Sequence, residues 1–368
     1  MKISIYSQKS LVAPCSVIFP NPFSGNHLPE QFSYFMSSNA LTDREHLIEL
    51  YNRGERNFAE VRLSGVNLKR QCLNQINLSH SYLKRANLTE ACLINANFKD
   101  ASLEEVNLSK ACLIDANLTK ADLSGANLRQ TNLSGAILSN TILKKADLSS
   151  ACLIHSSLLF AQLFKANLEA ANLTSATLTH AMAGKANLKR AILTRAILSS
   201  ANLSHANLKE ANLIRAYLYQ ANLENCQLQY ADLSYADLRG ADLRGADLRC
   251  ANLEGANLTG ANLNCSDFEG ANLTGADLSK TDANKANFRQ ANLTGCNLLG
   301  ANLASANLSG ANLHQAGLLL SYLVGSNLKR ANLKQANLIG AILTENNLLS
   351  ASLEETILPN GSRGNLLS

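Results

Sequence analysis

The chain has 368 residues, but aromatics make up only 5% of it and tryptophan is absent, which excludes the ring-filled core of an ordinary globular protein of this length. Hydrophobic residues at 46% exclude disorder of the whole chain, and a net charge of +5 does not by itself demand a nucleic acid or a membrane. Nine cysteines without a CxxC spacing do not read as a secreted disulfide framework, so a reducing, cytoplasmic setting is expected.

Residues 1–40 show no five-residue order and are expected to be disordered or loosely ordered. Lys2 and Lys9 precede an apolar stretch that Pro14 and Pro20 interrupt, which makes a poor signal peptide. The string LVAPC has the look of a lipidated cysteine, but Pro14 directly before Cys15 argues against it. No run of 18 apolar residues occurs, so no membrane insertion is expected.

Residues 41–54, LTDREHLIELYNRG, predict a short capping helix. Thr42 can N-cap it, Glu45 completes a capping box, and Gly54 is placed to stop it. Leu47, Ile48, Leu50 and Tyr51 supply an apolar side to lay over whatever follows.

Residues 55–358 repeat one five-residue unit. From Phe58 to Leu358 there are 61 consecutive units, and the central residue is Leu in 55 of them. Phe58, Phe98, Phe268 and Phe288 replace it four times, and Ala183 and Ala283 twice. Two residues earlier Ala stands in 43 units, and the residue between is Asn or Asp in 39. A period of five fits neither a helix nor a strand, but it fits a chain that turns a corner every five residues. One large and one small inward residue per side would then fill a narrow core at interior density.

A second period of 20 predicts four sides per coil. Positions 67, 87 and onward to 347 hold Asn or Asp, with Gln227 the exception, whereas the sister column holds Cys72, Cys92, Cys112 and Cys152. Coils stacked about 4.8 Å apart would build a rod roughly 70 Å long, and Asn amides would pair from coil to coil.

The strings ANLTGANLNC, ADLRGADLRGADLRC and ANLASANLSGANL repeat the pattern A(D/N)LXX. In this the chain resembles the pentapeptide-repeat family, over more than 80% of its length. The resemblance implies an all-β solenoid, a right-handed quadrilateral β-helix, here of about 15 coils. It also implies a bacterial setting, since the family abounds in cyanobacteria. Residues 359–368, PNGSRGNLLS, read as a tail in which Pro359 and Gly361 end the pattern. No helix is expected there, and family members often dimerise through this end. A possible homodimer through the C-terminal coil is therefore expected.

A rod with a leucine core offers no obvious catalytic pocket. No HExxH, GxSxG, Walker or dinucleotide motif occurs, and only His80 and His180 share a column, about 24 Å apart. We expect no enzyme, no cofactor and no metal. Cys72, Cys92 and Cys112 stacked on one face read as small apolar replacements for Asn before they read as ligands.

Function is then sought on the outward positions. Ile94, Ile114 and Ile154 would form an exposed apolar ladder, with Leu159, Phe160 and Phe164 outward nearby. A second set, Leu299, Leu319, Leu320, Val324 and Ile339, lies towards the C-terminal end, as a dimer or second partner surface. Lys69, Arg70, Lys189, Arg190, Lys329 and Arg330 mark a weakly basic face that acidic residues dilute. The leading expectation is a protein-binding scaffold. The alternatives are modulation of DNA gyrase by DNA mimicry, as in some family members, and nucleic-acid binding by the basic face. Mimicry requires dense negative charge, and residues 56–358 carry 28 basic against 23 acidic residues.

Overall fold

The computed structural model describes residues 43–344 and 348–364. The expectation for residues 1–40, and Thr42, lie outside them. One helix, α1 (Arg44–Asn52), opens the described part. Its N-cap is Asp43, whose carboxylate accepts the Glu45 N–H at 3.4 Å, so the expected Thr42 cap is corrected by one residue. Asp43 stands at the position whose side chain reaches the first turn. Leu47 is fully buried, and Ile48, Leu50 and Tyr51 pack against the repeat core. Tyr51 is pinned further: its hydroxyl donates to the Asn74 carbonyl at 2.9 Å, and the Arg56 guanidinium sits 3.9 Å above its ring. The helix thus covers core surface and backbone that an open coil would expose.

The repeats form a solenoid with four five-residue sides per coil. Each side contributes one residue to a parallel bridge with the residue 20 positions on, from Asn57–Asn77 to Asn337–Ile357. The unit 117–121 shows why the sequence takes this path. Asn117 N–H donates to Ala96 O at 2.9 Å in the preceding coil, while Leu118 and Lys120 donate to Ile137 O at 2.7 Å and Ser139 O at 3.0 Å in the next. Ala121 N–H closes the corner on Leu118 O at 3.0 Å. The remaining donor, Thr119 N–H, is taken by the Asn117 side chain at 3.0 Å. Every backbone N–H of the unit is therefore satisfied, and the Asn or Asp before the central leucine is the residue that completes the set.

The residue two after the central one, such as Lys120, Ala170 or Glu60, lies at positive φ in nearly every unit, between 54° and 63° where it is not glycine. This is the second central residue of a turn whose partner has negative φ, the type II pattern. Gly occupies the position in some units, as at Gly240, but most carry a side chain; Val, Ile and Thr are absent from it among the described residues. β-branching crowds this backbone conformation most. Inside, the Leu and Ala columns are buried almost without exception. Phe268 stacks on Phe288, ring centres 5.0 Å apart. Where Thr replaces Ala the hydroxyl finds a backbone carbonyl, as in Thr131 to Leu108 O at 2.8 Å.

The described part of the C-terminal tail is paired with the last unit. Ile357 pairs antiparallel with Arg363, and Gly364 N–H donates to Thr356 O at 2.7 Å. The segment after Leu358 turns back over the backbone of its own last unit.

Candidate protein-binding surface

Along one edge of the stack the sides of two successive units meet at a corner. Residue numbers that differ by multiples of 20 share a column there, so distant segments line up. Ile137, Ile197 and Tyr217 stand on one flank of the corner and are exposed, while Met182 stands exposed on the other. Between them the corner itself carries Phe160, 49% exposed, whose ring stacks flat on His180 at 5.0 Å. Phe164 is exposed at the next corner with Lys165 5.4 Å over its ring, and Leu159 is half-buried.

A second apolar strip lies on the same edge. Leu320 continues the Phe160 column and is 65% exposed. Tyr322 and Ile342 continue the Met182 column, and Leu299 and Ile339 the Leu159 column, all exposed. Leu319 and Val324 are half-buried. Phe160 and Leu320 are separated by eight coils, about 38 Å.

Polar coils separate the strips. There Arg239 grips Asp237 through two bonds of 2.8 and 2.7 Å, and Arg244 grips Asp242 in the same way. These guanidinium bonds hold both carboxyl groups below the usual carboxylate range. Arg239 also lies over the Tyr219 ring, at 5.6 Å, and so borders the first strip.

The sequence grouped Ile94, Ile114 and Ile154 with Phe160. The three isoleucines lie on the cysteine side, as the sequence places them, but are half-buried rather than an exposed ladder. Cys72, Cys92 and Cys112 do stack in parallel register. Where Cys92 replaces Asn, the Ile94 N–H is taken instead by the Asn74 side chain of the preceding coil, at 2.9 Å. The sequence reading missed Met182, Tyr217, Tyr219 and Tyr322, although column-by-column comparison of the outward positions carries their signal.

The basic face is largely neutralised along the stack. Arg70 pairs with Glu90 at 2.7 Å, Arg190 with Glu169 and Glu210 at 3.6 Å each, and Lys189 with Glu210 at 3.8 Å. Lys329 and Arg330 complete the face towards the C-terminal end. No cluster of His, Cys, Asp and Glu able to hold a metal occurs among the described residues. Cys226 is buried, and loss of solvent pushes its thiol up to about 12, the opposite of an activated nucleophile. No helix among the described residues is long and apolar enough to cross a membrane.

The family model for pentapeptide repeats matches overlapping segments from residue 62 to residue 358. The chain belongs to the pentapeptide-repeat family. Among solved structures, this pentapeptide-repeat chain is similar to HetL, a protein involved in heterocyst differentiation regulation from the cyanobacterium Nostoc sp. strain PCC 7120. They are 28% identical over 88% of this chain and 100% of that one, with a TM-score of 0.16. It is also similar to Rfr23 from the cyanobacterium Cyanothece 51142, 38% identical over 29% of this chain and 63% of that one, with a TM-score of 0.19. QnrB1, a plasmid-mediated fluoroquinolone resistance protein, is 20% identical over 53% of this chain and 90% of that one, with a TM-score of 0.32. No curated protein matches the chain.

Proposed function

We propose that this chain is a non-catalytic, cytoplasmic protein-binding rod, right-handed and of about 15 coils, whose working surface is the edge carrying the two apolar strips. The observation that supports this is their alignment. Phe160 and Met182 in one strip and Leu320 and Tyr322 in the other share columns, with a polar interval between. Scattered apolar residues on a surface need no explanation, but clustering on one edge does. Exposed aromatics and methionine are the residue types that anchor protein interfaces. A partner long enough to touch both strips would span about 38 Å.

The test compares the intact protein with Phe160→Asp/Met182→Asp and with Leu320→Asp/Ile339→Asp. Cross-linked complexes are identified by mass spectrometry, and self-association is followed by analytical ultracentrifugation. A protein joined to the wild type and lost from both variants supports the reading; a bound species that ignores both pairs of substitutions sinks it. A homodimer through the last coil would instead survive the Phe160 pair and fail with the Leu320 pair.

Gyrase modulation by DNA mimicry is disfavoured by the excess of basic over acidic residues in the repeats. A supercoiling assay decides it. Nucleic-acid binding through Lys69, Arg70 and their face is weakened by the ion pairs along the stack. It would show as DNA retention that falls steeply with salt.

A further inference from the structure

A different edge of the stack carries an open groove of about 630 Å³ along a corner. Arg195 and Arg215 occupy successive positions of one column in it, with Ser175 and His155 on one side and Tyr235 on the other. Coil spacing puts the two arginine backbones about 4.8 Å apart. Both residues are exposed. Each is anchored by its backbone, Arg195 N–H to Ile214 O and Arg215 N–H to Ser234 O, both at 3.0 Å.

Most other arginines of the rod are neutralised. Arg70, Arg85, Arg129, Arg190, Arg239, Arg244, Arg249 and Arg289 all bond to carboxylates of their own or a neighbouring coil. Arg195 and Arg215 make no ion pair among the described residues; Arg215 only faces the Tyr235 ring, at 5.9 Å. Two like charges are thus held in adjacent coils without the ion-pair partner that most arginines of the rod have. Glu254 accepts from the Tyr235 hydroxyl at 3.3 Å.

We propose that this groove binds a phosphate group. Two guanidinium forks offer planar pairs of N–H donors that match tetrahedral phosphate oxygens, and their combined charge of two matches the dianion near neutral pH. A single carboxylate would leave one fork unmatched. The Ser175 hydroxyl and the apolar side of Ile214 border the same space. The phosphate can be free or carried on a side chain of a protein partner. The site lies on an edge other than the apolar strips, so its failure and the failure of the protein-binding reading are separable.

The experiment titrates the whole chain with inorganic phosphate, with phenyl phosphate and with acetate, at constant ionic strength, and follows the arginine Nε–H resonances by NMR. We expect saturable binding of both phosphates below about 10 mM, and acetate at least about tenfold weaker. Arg195→Gln/Arg215→Gln should weaken phosphate at least about tenfold, whereas Arg85→Gln, which removes a paired arginine, should leave it unchanged. Tighter binding of phenyl phosphate than of inorganic phosphate assigns the site to phosphorylated side chains, and equal binding assigns it to free phosphate. The proposal is overturned if neither phosphate saturates, if acetate matches them, or if the double variant binds as the wild type does.

Discussion

The Asn187 side-chain amide donates to Asn167 Oδ1, one coil away, at 2.9 Å, while its own Oδ1 accepts the backbone N–H of Lys189 at 3.3 Å. One residue thereby closes its own turn and ties two coils together. Asn207 repeats the arrangement upon Asn187 at 3.1 Å. Asp can do only the first half. Asp147 accepts from Asn167 at 3.0 Å but has nothing to donate to the coil before it.

Asn187→Asp should therefore cost less than Asn187→Ala. The aspartate keeps the turn and loses one donor, about 1 kcal/mol. The alanine also strands the Lys189 N–H, for about 2 kcal/mol. Urea midpoints give the order, and faster hydrogen exchange at Lys189 should appear only in the alanine variant. Equal losses would show that the amide stacking matters and the turn bond does not.

Ala170 tests the corner. It is exposed and held at a φ of 54°, so its side chain contributes strain rather than packing. Ala170→Gly should raise stability by up to about 1 kcal/mol, and Ala170→Val should lower it by about 1–2 kcal/mol. Thermal unfolding measures both, and a neutral valine would contradict the steric account of the missing β-branched residues.

Ala283 and Phe288 occupy neighbouring sides of the same coil, and both are fully buried. The small residue offsets the large ring. Ala283→Leu alone should cost about 1–3 kcal/mol by overpacking, and Phe288→Leu in the same chain should bring the loss below about 1.5 kcal/mol. A double-mutant cycle in urea reads the coupling; simple additivity would show that the two positions do not share volume.

Acid should weaken the middle of the rod. The Arg239 and Arg244 bonds hold Asp237 and Asp242 at lowered pKa values. A carboxylate depressed in the folded state adds stability above its unfolded value, near pH 4, and loses it as pH falls through the folded value. The thermal midpoint should drop below pH 4 in the wild type, and drop less in Arg239→Gln/Arg244→Gln, whose carboxylates titrate closer to the unfolded value. A parallel decline in both proteins would remove these pairs from the acid response.

The leucine column alone determined the solenoid. A large residue every fifth position, paired with a small one two residues before it, admits a chain that turns inward on each side and little else. The period of 20 likewise set the four sides, because stacked positions must suit one another. The apolar spacing of Leu47, Leu50 and Tyr51 marked the capping helix for the same reason, though not which of two adjacent cap-forming residues would cap it. What the sequence left open was exposure. Ile94 and Phe160 are both outward by phase, yet Ile94 is half-buried. Phe160 sits two residues after the central leucine, where a left-handed backbone turns the side chain into solvent. The C-terminal hairpin was likewise hidden, since a single antiparallel bridge has no periodicity to read. Only stacking in three dimensions joined Phe160 to Leu320 along one edge and left Arg195 and Arg215 side by side without a carboxylate, because charge pairing and surface continuity depend on neighbours 20 or more residues away.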